Sequence, residues 1–131
     1  MIKLMGNYIY FNTGKTLEEL EEVIEEKSLF ESHLVVTCQA LRQKKLCDFT
    51  EEDIRIMIGQ QLSLPYLVPM ALEILEDNIF ARGNYYPGDL LKAVANIPTA
   101  FWKEHPRYKS DLTNCIEEQV KFLNGILQTL K

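Results

Sequence analysis

The residues Tyr66 to Asp77 read as a helix with Leu67, Val68, Met70, Ala71, Leu72, Ile74 and Leu75 distributed over nearly all of its sides. A helix with no broad polar face has to be wrapped by other elements, so the rest of the chain must supply a shell around it. The neighbouring sequence is suited to that task. Thr50 precedes Glu51, Glu52 and Asp53, a capping pattern with carboxylates in the first turn, and Ile54, Met57, Ile58 and Leu62 follow as a buried stripe. Ser63-Leu64-Pro65 should separate this helix from the central one, because the residue before a proline avoids the helical region. Pro69 then fits only within the first turn of the helix it enters.

At 131 residues the chain fits one domain, 1–131, able to bury roughly two thirds of its unfolded surface. Hydrophobic spacing elsewhere again gives helices. Thr16 and Glu19 form a Thr-x-x-Glu cap for a helix lined by Leu17, Leu20, Val23 and Ile24. A second helix spans about Ser32 to Lys44, with Leu34, Val35, Cys38 and Leu41 inward. Beyond Gly83-Asn84, Pro87 starts a helix carrying Leu90, Leu91, Val94 and Ile97, and Pro98 ends it. A short helix holds Phe101 and Trp102 up to Pro106. A long last helix puts Leu112, Ile116, Val120, Leu123, Leu127 and Leu130 inward, weakened by about 1 kcal/mol at Gly125. Residues 1–15 differ, since Tyr8, Ile9, Tyr10 and Phe11 are strong β formers between turn signals, which reads as an extended arm or a short strand. The expected fold is all-α or nearly so, a compact bundle of about six to seven helices over 16–131 with an extended N-terminal arm.

No apolar run approaches the roughly 20 residues needed to span a bilayer, and Met1 to Tyr10 lacks the pattern of a secretory signal. Cys38, Cys47 and Cys115 are an odd set at unrelated spacings, as buried thiols in a reducing cytoplasm would be. Nineteen acidic against fourteen basic side chains give a net charge of −5, which disfavours nucleic acid and favours a basic protein partner.

Catalytic and cofactor groupings are not indicated. His33 and His105 lack companions at zinc-ligand spacing, and Gly59, Gly83 and Gly88 form no phosphate-binding fingerprint. Cys38 and Cys115 fall among aliphatic positions, and Glu51-Glu52 and Glu117-Glu118 diverge on their helices. The chain is therefore expected to be no enzyme and to need neither metal nor cofactor.

Two acidic surfaces are candidates for contact. On the first helix Glu18 with Glu22, Glu22 with Glu26, and Glu21 with Glu25 are like-charge pairs four apart, each unfavourable by roughly 0.2 to 0.5 kcal/mol. They form either a solvated face or an anionic patch for a basic protein, with Glu31 extending it. The second surface gathers Glu73, Glu76, Asp77 and Asp89 with Tyr85-Tyr86, as an interface or as a tyrosine-packed helix corner.

Four linked segments carry a family resemblance: Leu41-Arg42 through Phe49-Thr50, Glu52 to Gln60, Leu67-Val68-Pro69-Met70-Ala71-Leu72-Glu73, and Tyr86-Pro87-Gly88-Asp89-Leu90-Leu91. In them, and on through Phe101-Trp102-Lys103-Glu104-His105-Pro106, the chain resembles the immunity proteins of bacterial contact-dependent growth inhibition (CDI) systems. The resemblance covers about residues 32 to 106. It implies a cytoplasmic antidote that binds the C-terminal toxin domain of such a system and occludes its active site. Many such toxins are nucleases, tRNases among them. A nuclease holds phosphates with a basic groove, so the toxin contacts are expected on the acidic surfaces: Glu18, Glu21, Glu22, Glu25, Glu26, Glu73, Glu76, Asp77 and Tyr85. No nucleic acid, membrane or small-molecule substrate is expected as a partner. The rival reading is a cytoplasmic helical adaptor for a peptide or helix, whose mark would be an accessible apolar groove. An enzyme of unfamiliar type would need a pocket gathering Glu, His or Tyr side chains.

Overall fold

The structure is a computed structural model and describes residues 8–24 and 32–131. Among these residues it contains seven α-helices and no strand: α1 Leu17–Glu21, α2 His33–Leu41, α3 Glu51–Gly59, α4 Leu64–Asp77, α5 Asp89–Ala95, α6 Thr99–Glu104 and α7 Pro106–Leu130. A 3-10 turn, Leu46–Asp48, joins α2 to α3. The all-α expectation holds.

As its composition requires, α4 lies at the centre. Leu67, Val68, Ala71, Leu72 and Leu75 are almost completely buried, with α3, α5 and α7 packed around them. Ile54, Met57 and Ile58 of α3 and Leu90 and Val94 of α5 complete the adjoining layer. One cluster of buried side chains runs from Tyr8 to Leu112. Trp102 of α6 closes one end, its Nε1 donating to the Ile97 carbonyl at 3.2 Å.

The α3–α4 connection breaks earlier than the prolines suggest. Gln61 and Ser63 both adopt left-handed backbone, with φ of 57° and 53°, and α4 starts at Leu64. Pro69 is therefore the sixth residue of α4 and not in its first turn, which corrects the expected start near Tyr66. A proline there cannot donate to the carbonyl four residues back. That carbonyl belongs to Pro65, and the Tyr10 hydroxyl donates to it at 3.1 Å. The N-terminal arm at residues 8–11 is neither helix nor strand and lies on the helices, with Tyr10 stacked on Tyr66 and the Phe11 ring edge-on to it. Tyr8 donates to Glu76 Oε1 at 2.6 Å and packs edge-on against Tyr108. Farther along, the Cys47 N–H donates to the Thr13 carbonyl at 2.7 Å and the Leu46 N–H to the Lys15 carbonyl at 3.1 Å.

Other helices also depart from expectation: α3 ends at Gly59 and leaves Leu62 exposed, and α5 starts at Asp89, after left-handed Gly88 (φ 95°), and not at Pro87. The Thr16–Glu19 capping box forms, but Glu22 is left-handed (φ 57°) and α1 stops at Glu21, leaving Val23 and Ile24 exposed. Buried Arg42 holds this end, pairing with Glu21 and donating from Nη2 to the Val23 carbonyl at 2.9 Å. Tyr66 Oη donates to the Leu20 carbonyl at 3.3 Å, so side chains satisfy acceptors that a longer helix would have satisfied internally. In α2, capped by Ser32, Cys38 and Leu41 are buried but Leu34 and Val35 are exposed. In α7, Leu112 is buried and Ile116 half-buried, whereas Val120, Leu123, Leu127 and Leu130 are exposed, against expectation. The helix outruns the body that would have covered them.

Candidate functional site

The C-terminal half of α4 carries Glu73, Glu76 and Asp77, and helical spacing turns them to different surroundings. Glu73 is buried and lies with Asp77 along a groove of about 270 Å³, whose apolar wall includes Ile9, Phe49, Met70 and Ile74. Glu76 is exposed and accepts the Tyr8 hydroxyl, which faces α7 as well. Burial, followed by the carboxylates of Glu76 and Asp111, pushes the Tyr8 phenol well above its usual range, so it stays a proton donor. The result is a carboxylate-edged apolar groove beside an aromatic arm.

The α1 carboxylates are not brought into this groove. Glu21 is half-buried and engaged, pairing with Arg42 and accepting from Ser63 Oγ at 3.1 Å. Ser63 precedes α4 whereas Asp77 ends it, and 14 helical residues extend about 21 Å. Glu18 lies within 3.4 Å of Gln43 Nε2, and Glu22 is exposed beyond the helix end. The continuous like-charge ladder is thus interrupted at Glu22. Glu25, Glu26 and Glu31 lie outside the described residues.

Tyr85 belongs to a third region, the corner between α3 and α5. Arg55 Nε and Nη2 grip both oxygens of Glu52, at 2.7 and 2.6 Å, and its guanidinium sits 4.6 Å from the centre of the Tyr85 ring. The Glu52 carboxylate also accepts the Asn84 N–H at 2.9 Å. The Arg55 hydrogen bonds, ahead of the other causes, hold the Glu52 carboxyl below its usual range. Asp89 accepts from the N–H groups of Gly83 and Tyr85, at 2.6 and 3.0 Å. Its burial pushes the carboxyl up, but hydrogen bonds from Gly83, Tyr85, Tyr86 and Leu90 outweigh that and leave it lowered. Asp89 is 4% exposed, so it organises the corner from inside and does not belong to an acidic surface. Sequence reasoning missed the Glu52–Arg55–Asp89 network. Its one local signal was the Glu-x-x-Arg spacing on α3, which places the two side chains on one face.

His105 is stacked between Phe101 and Tyr108, at ring separations of 4.5 and 5.2 Å. Among the described residues no three His, Cys, Asp or Glu side chains gather as metal ligands. Cys38 is buried, and burial pushes the half-buried Cys115 thiol up, away from nucleophilic use. Cys47, by contrast, is exposed, which departs from the expectation of buried thiols. No described helix is long and apolar enough to cross a membrane. Among the described residues, the exposed features that hold the expected contact residues are the α4 groove, the acidic end of α1 and the tyrosine corner.

A family model described as CDI immunity proteins matches residues 18–112, from the start of α1 to the first turns of α7. No curated protein and no solved structure matches the chain.

Proposed function

The chain belongs to the CDI immunity proteins, a family that neutralises CDI toxins, and we infer that it does so by covering the active site of a nuclease toxin in the cytoplasm. The match over residues 18–112 carries the toxin-neutralising part of this reading. Charge supports the nuclease part. A nuclease groove concentrates cations to hold phosphates, and a partner with a net charge of −5 is steered into it and competes with substrate there. The chain itself is assigned no catalysis.

The contact surface centres on Glu76 and Asp77 beside the α4 groove. These carboxylates are exposed, and the apolar wall next to Asp77 can receive the stem of a toxin lysine or arginine while the acid meets its charged end. Glu18 and Glu22, with Glu25 and Glu26 beyond them, steer from the α1 end, while Tyr85 supplies an aromatic contact at the α3–α5 corner. Glu21 and Glu73 act mainly within the fold.

Two measurements test the reading. With the C-terminal domain of the reading frame immediately upstream as nuclease, excess of the nucleic acid it cleaves should slow inhibition, because substrate and inhibitor compete for one groove. Inhibition indifferent to the concentration of that substrate would overturn occlusion. In stopped-flow association, E76K/D77K should reduce the on-rate on the order of tenfold and flatten its salt dependence. E18K/E22K should act on the rate more weakly, and unchanged rates in both variants would remove the acidic surfaces from the account. Absence of any complex would favour the helical adaptor, for which the α4 groove is the accessible apolar feature.

A further inference from the structure

The distal part of α7, residues 117–131, is exposed throughout and continues a helix whose packing against α4 and α6 ends near Ile116. It also lies outside the family match, which stops at residue 112. Val120 is 51% exposed, Leu123 47%, Leu127 55% and Leu130 77%, so this apolar face is uncovered. A helical stretch of about 15 residues is marginal in water unless it packs against something.

The pattern of that face specifies a partner. Ile116, Val120, Leu123, Leu127 and Leu130 follow steps of four, three, four and three, the alternation of a two-helix seam. With Val120 and Leu127 at a, the other three fall at d. We propose that α7 pairs antiparallel with α7 of a second copy of this chain. In the twofold register Val120 meets Leu130 of the other copy and Leu123 meets Leu127. The same register sets Glu117 opposite Lys131 at both ends and Asn124 opposite itself, with the two Ile126 side chains meeting across the axis. Each seam is self-complementary in apolar layers and in charge, as a twofold interface requires.

A parallel pairing has neither advantage. Its flanking pairs would be Gln119 with Asn124 and Ile126 with Lys131, and the two bodies would collide at the same end. In the antiparallel register the segment used is 117–131, the segment that has left the body, and the bodies sit at opposite ends. Gly125 falls on the outer side of the seam, where a Cβ would meet nothing within 4 Å, so it leaves the layers intact.

The test is sedimentation equilibrium of the full chain over a concentration series. The expected species is a dimer that L123D/L127D converts to monomer with the near-ultraviolet signal of Trp102 unchanged. E117K places like charges at both ends and should weaken dimerisation about tenfold, as K131E should. The combined E117K/K131E swap should restore it. The two positions are 14 residues apart on one helix and do not meet within a monomer, so restoration reports contact between copies. A monomer at every concentration, a dimer that survives L123D/L127D, or a swap that fails to restore association would each overturn the proposal.

Discussion

Asp89 accepts N–H groups at 2.6 and 3.0 Å while standing 3.8 Å from Arg55 Nε, so one buried carboxylate links the loop after α4 to α3 and α5. Replacing it with asparagine removes the charge and leaves one acceptor oxygen for several donors. D89N should therefore lose about 1–3 kcal/mol near neutral pH. The sign of its pH dependence follows from the lowered carboxyl. Its contribution is complete above the unfolded aspartate pKa of about 4 and is lost as pH falls through the lower folded value. Urea unfolding should thus show a gap between wild type and D89N near neutral pH that closes in acid; a constant gap would contradict this role. Gly83 is the companion constraint. A Cβ there would enter the van der Waals shell of Glu52 Oε1 and stand 3.2 Å from the Glu52 Cα. G83A should cost about 1–3 kcal/mol in chemical denaturation, and a neutral result would mean that the loop has another seat. The sequence displays Gly83 only as a turn signal, because the carboxylate it accommodates lies 31 positions away.

At the scale of elements, periodicity read correctly wherever a helix is packed along its length. The caps Thr16, Ser32 and Thr50, the α3 stripe from Ile54 to Ile58 (though not Leu62, which is exposed) and the centrality of α4 were legible, since each depends on neighbours within one or two turns. Helix ends were less so. Glu22 ends α1 where Arg42 and Tyr66, distant in sequence, take its carbonyls, and Pro69 is tolerated because Tyr10 serves the acceptor it abandons. The α7 stripe was real, but a stripe does not reveal whether the covering surface belongs to the same chain. Gly125 gives a direct measurement on this helix. Its added Cβ meets nothing, so G125A should stabilise the exposed helix by about 1 kcal/mol. Amide exchange around residues 118–130 should slow by about fivefold, and faster exchange would show that glycine is required there.

For the whole molecule, the acidic balance and the family pattern were legible in the sequence, and the family match agrees with the resemblance. The binding surface was less legible because charge alone does not distinguish a carboxylate facing solvent from one used inside. Glu76 and Asp77 are exposed, Glu76 while also accepting the Tyr8 hydroxyl, whereas Glu73 is buried, Glu21 holds Arg42, and Asp89 binds loop amides. Tyr85 is 69% exposed but rests on Arg55, combining structural support with an open aromatic face. The central claim is that the chain is an antidote to one toxin domain. Its most direct test is bacterial growth during expression of the C-terminal domain of the reading frame immediately upstream, with and without this protein, alongside copurification. The account predicts arrest by the toxin domain alone, rescue on coexpression, and a stable complex. Arrest that persists despite full coexpression, with no complex recovered, would contradict it.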